Sequence, residues 1–243
     1  MAMTTLASQT QAAVRAANDA YLEALRYALS FYSADPRITH LIYGVPDDLV
    51  PYMARLHEPR IREALLQLPV LLMVPRQTGV AFGRTLRTGV DDDFLLDVLN
   101  ETDPQALSSL HSAMAVITAT DKKLVAEANS RYFAAVRFLH GLAHDPVAFL
   151  LTGLPMSTFG QITSTPPLAS ARTHAVMLEE NAPIAMICQP RFSSAATWAA
   201  ATSGGVDEEV FARLITTEFL SQCPADATGP LLNLAPIQRT PSK

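Results

Sequence analysis

The chain is poor in the residues that most catalytic and secreted architectures require. Its two cysteines, Cys188 and Cys223, are too few for a disulfide scaffold or a four-cysteine zinc site. No apolar run reaches the roughly 18–20 residues of a membrane span, and the opening "MAMTTLASQTQAAVRAAND" has no apolar signal-peptide core. Phosphate-loop, GxGxxG, GxSxG and catalytic Cys/His patterns are all missing, so no enzyme is expected and no cofactor is implied. Positive charge is scarce as well: 18 Lys and Arg face 23 Asp and Glu, a formal net charge of −5, which excludes a strongly basic nucleic-acid grip over the whole surface. A cytoplasmic protein without a membrane partner is the expectation. What the chain does have is apolar surface, with 49% hydrophobic residues and a mean hydropathy of +0.17, enough for a real core. At 243 residues it is long enough for one large domain or two ordinary ones.

An internal repeat decides between those two. Asn18 and Asn129, Tyr21 and Tyr132, and Arg26 and Arg137 are each 111 apart. Gly44-Val45-Pro46 answers Gly153-Leu154-Pro155 at 109, and Pro75-Arg76 answers Pro190-Arg191 at 115. "GVDDDF" from Gly89 and "GVDEEVF" from Gly205 follow at 116. An ordered series with a slowly drifting offset is the mark of two diverged copies with small loop insertions. The expected organisation is therefore unit one over 1–118, unit two over 119–228, and a flexible proline-containing tail over 229–243.

Each unit reads as mainly helical. Tyr21, Leu22, Leu25, Leu29 and Tyr32 recur at helical spacing and form one apolar stripe. Pro36 suits a first helical position, Gly44 a helix stop needing positive φ, and the acids of "PDDLVPYMARL" a helix start. "LPVLLMVP" and "APIAMICQP" are short apolar runs ended by proline, either buried strands or buried helical turns, and periodicity does not separate the two. The fold class is all-α. Each unit is too apolar on one face to stand alone, so the two are expected to pack as an intramolecular pseudo-dimer, with a covalent link that raises the effective concentration of the second copy.

These motifs resemble FlhD, the subunit of the flagellar master transcriptional regulator. The resemblance rests on "NDAYLEALRYAL" (18–29) and "NSRYFAAVRFL" (129–139), on "YGV" and "TGL" after them, and on "MLEENAPIAMICQPRF" (177–192). "LQLPVLLMVPR" (66–76) stands for that last stretch in unit one, and "LSSLHSAMAVI" (107–117) resembles the family's late segment. It implies a two-fold FlhD-like helical pair within one chain. The implied role is a transcription-factor subunit whose FlhC-like partner carries the zinc site and much of the DNA contact. Two departures stand out: Ile42 and Leu151 occupy positions where relatives often have Arg, and Ser193-Ser194 replaces the usual acidic pair.

Candidate contacts follow. Phosphate binding needs mobile cations along a face, and unit one supplies Arg60 and Arg62 in "ARLHEPRIR" and Arg84 and Arg87 in "PRQTGVAFGRTLR". Its residues 1–110 nevertheless hold nine Arg against thirteen acids, so a solvated helix face competes with DNA contact through the complex. Trp198, the sole tryptophan, sits among small residues in "AATWAAATSGG", as a core residue or a partner anchor. His111 reads as a packing or partner-interface residue. His140 and His144 have metal-pair spacing, but no third ligand accompanies them and no metal is expected. Asp91, Asp92 and Asp93 fit a helix first turn better than a cation site. Cys188 is expected as a reduced buried thiol. Further self-association beyond the internal pair is left open, and the competing reading is an adaptor that lost DNA binding.

Overall fold

The computed structural model describes residues 2–32, 36–68, 70–99, 117–142, 151–154, 183–192 and 195–202, with positions 108, 111, 112, 114, 158, 160–162 and 165. His144, Cys223, the 205–211 stretch and the tail from 229 lie outside the described residues.

The described structure is mainly helical. Helix α1 runs Ala2–Tyr32, and α2 runs Pro36–Ile38 into a π-turn, Thr39–Tyr43. Helix α3 (Val50–Met53) continues as a 3₁₀ turn, Ala54–His57, before α4 (Pro59–Leu66). Strand β1 is Met73–Pro75, and α5 (Gly79–Thr88) and α6 (Asp92–Leu99) complete the first half. The second half contributes α7 (Ala119–Leu142), strand β2 (Cys188–Pro190) and α8 (Ala195–Thr202). Helix α7 opens on a capping box: Thr118 Oγ1 accepts from the Asp121 amide at 3.3 Å, and Asp121 Oδ2 accepts from the Thr118 amide at 2.9 Å. The two apolar runs left open between strand and helix contain the strands.

Helices α1 and α7 pack along each other and bury the same stripe. Val14, Ala17, Asn18, Tyr21, Leu22, Ala24 and Leu25 are buried, and so are Val125, Ala128, Asn129, Tyr132, Phe133, Ala135 and Val136, each 111 positions later. The alanines keep the two backbones close. The larger side chains fill the core, where each fully buried Leu or Phe contributes about 1.5–3 kcal/mol.

A polar residue inside each stripe then fixes what lies over it. Asn18 Nδ2 donates to the Val70 carbonyl (2.9 Å), and its Oδ1 accepts from the Leu72 amide (2.9 Å). Asn129 does the same to Ala185 (3.0 Å) and Ile187 (3.1 Å), 115 positions beyond Val70 and Leu72. Each asparagine so holds the run leading into one strand on its own helix, supplying partners to backbone groups that would otherwise be buried and unpaired.

Strands β1 and β2 pair antiparallel, with Val74 opposite Gln189, Met73 opposite Pro190 and Pro75 opposite Cys188. The ladder continues through reciprocal bonds: Arg76 N–H donates to Ile187 (2.9 Å) and Arg191 N–H to Leu72 (2.8 Å). Antiparallel pairs alternate between hydrogen-bonded and non-hydrogen-bonded. Counting from those bonds, Met73/Pro190 and Pro75/Cys188 fall on non-hydrogen-bonded sites, which is why two prolines fit where an N–H is not needed. Along the outer edges, Leu71 N–H donates to Leu151 (2.9 Å) and Met186 N–H to Ile42 (2.6 Å).

The two glycines behind those acceptors are constrained alike. Gly44 (φ 69°) and Gly153 (φ 68°) are left-handed, and a Cβ on them would lie 2.8 Å from the Cys188 carbonyl and 2.8 Å from Val74 Cγ1 respectively. Each half also reaches across to the other. Helix α8 packs on α3 and α4, while α5 receives Thr158 Oγ1 on the Gly79 amide (3.3 Å) and Gln161 against Gly83.

Candidate partner and nucleic-acid interface

The four candidate arginines have unequal freedom. Arg62, on α4, donates to Asp19 Oδ1 (2.7 Å) and to Glu23, and its side chain is only 20% exposed. Burial raises the Glu23 carboxyl, but Arg62 and Arg26 beside it outweigh that and hold it below the ordinary carboxylate range. Arg62 is therefore a stitch between α4 and α1, reinforced by a bidentate Arg15–Glu63 pair at 2.8 and 3.1 Å. Arg60, on the outer face of α4, is exposed, and no ion pair involves it among the described residues.

Arg84 and Arg87 lie three residues apart on α5, so their side chains share a face. Gly89, at φ 86°, ends α5 and turns the chain back. That reversal brings Asp91 and Asp93 onto Arg84, whose Nη2 is 3.2 Å from Asp91 Oδ2 and also bonds Asp93. The hydrogen bond that Arg84 donates to Asp93, then the charge of Asp91, raise the Arg84 pKa further. Asp91 Oδ1 meanwhile accepts from the Phe94 amide at 2.9 Å, capping α6. A cleft of about 250 Å³ lies between α5 and α6, with Gln77 and Phe94 in its lining. Gln77 bonds Asp97 (2.6 Å) and Thr85 (2.6 Å) there. Arg87 is exposed and makes no ion pair among the described residues.

The two partner candidates are placed differently. Trp198 is 1% exposed on α8, and its indole N–H donates to the Phe192 carbonyl at 2.5 Å. It anchors α8 inside this chain. His111 is exposed, with Nε2 2.9 Å from Asp92 Oδ1, joining the late segment to α6. His140 is half-buried near the end of α7. Among the described residues no group of three His, Cys, Asp or Glu side chains is arranged to hold a metal, and no helix is long and apolar enough to cross a membrane.

A buried polar cluster joins the halves beneath the strand pair. Arg76 donates to the Leu41 (2.5 Å) and His40 (3.0 Å) carbonyls and stacks over Phe94, 5.9 Å from the ring centre. Arg191 donates to the Leu151 carbonyl (3.3 Å) and lies 5.8 Å from the Phe192 ring centre. Burial pulls the Arg76 guanidinium down to about 10. It pushes the Cys188 thiol and the Tyr21 and Tyr132 phenols well up. Neither phenol oxygen has a hydrogen-bond partner among the described residues. The thiol and both phenols therefore stay protonated and neutral at neutral pH, while Arg76 keeps its charge against the His40 and Leu41 carbonyls and the Phe94 ring.

Sequence reasoning located Asn18, Asn129, Arg76 and Arg191 as repeated letters without assigning them work. The available signal was an asparagine inside an otherwise apolar stripe, met twice at a spacing of 111 residues. No family profile, curated protein sequence or solved structure matches the chain.

Proposed function

We propose that the chain is two FlhD-like units fused in tandem and paired with each other about a local two-fold axis, serving as a non-catalytic subunit of a transcriptional regulator. An FlhC-like protein is the proposed partner, and DNA is engaged through that complex. The single observation carrying the pairing is the bond set made twice at matching offsets: asparagine to strand, arginine amide to the opposite run, and each outer strand edge to a turn ended by a left-handed glycine. In this reading a two-fold axis through the Val74–Gln189 pair relates the two sets. Fusion would replace the second molecule of a homodimer and let the two faces diverge. The test is a mobility-shift assay with the chain alone and with its copurified partner. A sequence-specific shift that needs a zinc-containing partner supports the role, and a sequence-specific shift by the chain alone, or the absence of any such partner, contradicts it; weak sequence-independent binding by the chain alone does neither.

A second reading has its own support. Arg62 and Arg84 are already engaged by carboxylates, and the net charge is −5. Both favour a protein-binding adaptor that no longer contacts DNA. Complex formation with a protein partner but no shift on any duplex would select it.

A further inference from the structure

We infer that Asp91 and Asp93 act as an internal substitute for phosphate: they latch Arg84 so that α5 presents Arg84 with Arg87 to a polyanion only after the carboxylates release it. The inference rests on the proposed nucleic-acid role of α5 and adds its regulation. Three features of the fold carry it. Arg84 and Arg87 sit on one helical face, yet Arg87 is exposed and makes no ion pair among the described residues while Arg84 is held by two carboxylates. Positive φ at Gly89 produces the reversal that brings the acids back over the helix they follow. Asp91 divides its oxygens, one capping α6 and the other facing Arg84, so the latch is part of the α5–α6 corner.

The contact is also weak enough to open. Side-chain exposures are 48% for Arg84, 36% for Asp91 and 63% for Asp93, so all three charges remain wet. Exposed pairs of this kind change an equilibrium by about two- to fivefold. A DNA backbone offers several phosphates with counterion release and can outcompete that. Competition, not burial, sets the state of Arg84.

The test uses the full chain and a short fluorescent DNA duplex of arbitrary sequence, with anisotropy followed across a potassium chloride series. Asn at 91 keeps the helix cap, so Asp91→Asn with Asp93→Asn removes the latch and preserves the corner. Expected is affinity about two- to fivefold tighter than the parent, with a log K against log salt slope steeper by about one phosphate contact. Arg84→Ala alone leaves parental affinity nearly unchanged, and added to the Asn pair it abolishes the gain. A gain that persists without Arg84 means simple charge removal and overturns the latch. No gain, or no binding by any variant, overturns it too. Copurification with the FlhC-like partner is scored separately: its failure refutes the proposed role while the Arg84–carboxylate coupling on the isolated chain still stands or falls by the anisotropy cycle.

Discussion

Replacing Asn18 by leucine removes both hydrogen bonds to the first strand run at nearly constant volume. The Val70 carbonyl and Leu72 amide then lose their partners in a buried setting. Each orphaned group costs about 1–3 kcal/mol, so the pair costs about 2–6 kcal/mol, with the lower half favoured because leucine adds apolar contact in return. Asn129→Leu orphans the Ala185 carbonyl and Ile187 amide in the same way and should fall within about 1 kcal/mol of the first variant. Both clamps support one ladder, so the double variant should depart from additivity by at least about 0.5 kcal/mol. Urea unfolding followed through the single tryptophan suits this measurement. Trp198 is buried on α8, which packs on α3 and α4 of the other half, so its emission reports on the junction. If Asn129→Leu costs less than about 1 kcal/mol while Asn18→Leu costs several, the two asparagines do unlike jobs and the reasoning fails.

Other expectations follow from the same contacts. Gly44→Ala and Gly153→Ala should each lower stability by about 1–2 kcal/mol for the left-handed backbone plus a clash; Gly44→Ala should be the worse, because its Cβ meets a backbone carbonyl and that of Gly153 meets side chains. Denaturant midpoints rank them. Burial, with Arg76 nearby, holds the His40 imidazole below its ordinary value. The unfolded chain therefore binds that proton first, so stability is present above the unfolded pKa near about 6.5 and is lost as pH falls through it. Melting curves across that range should show the loss, and His40→Gln should flatten it. In a Cys223→Ser background, Cys188 should resist a thiol reagent in the native state and react only as fast as the chain opens. Reaction at the rate of a free thiol would show the site to be open.

Much of this architecture is written in spacing. The stripe from Tyr21 to Leu25, the stop at Gly44 and the start at Asp92 are local signals, and the structure places helix, positive φ and helix there. The runs around Met73 and Cys188 resisted because a three-residue strand exists only through its partner, 115 residues away, and no local period encodes that. The prolines that end both runs fall on ladder positions that need no N–H, which only the pairing reveals. At the candidate interface, counting arginines identified cations but not their availability. Arg62 and Arg84 are set by Asp19, Glu23, Asp91 and Asp93, and only the fold brings the first pair across from another helix. Trp198 read first as core, with a partner anchor as the alternative, because small neighbours suit both, and the buried indole N–H on Phe192 is a tertiary fact.

The paired-unit account predicts two engineered crosslinks that are one crosslink seen from opposite halves. Pro75→Cys faces native Cys188, and Met73→Cys with Pro190→Cys, in a Cys188→Ser background, occupies the related pair. Both are adjacent non-hydrogen-bonded sites, whose spacing suits a disulfide. Mild oxidation of the Cys223→Ser chain followed by peptide mapping should give intramolecular 75–188 and 73–190 bonds to similar extents. Closure of one without the other, or of neither, would contradict the pairing on which the proposed role depends.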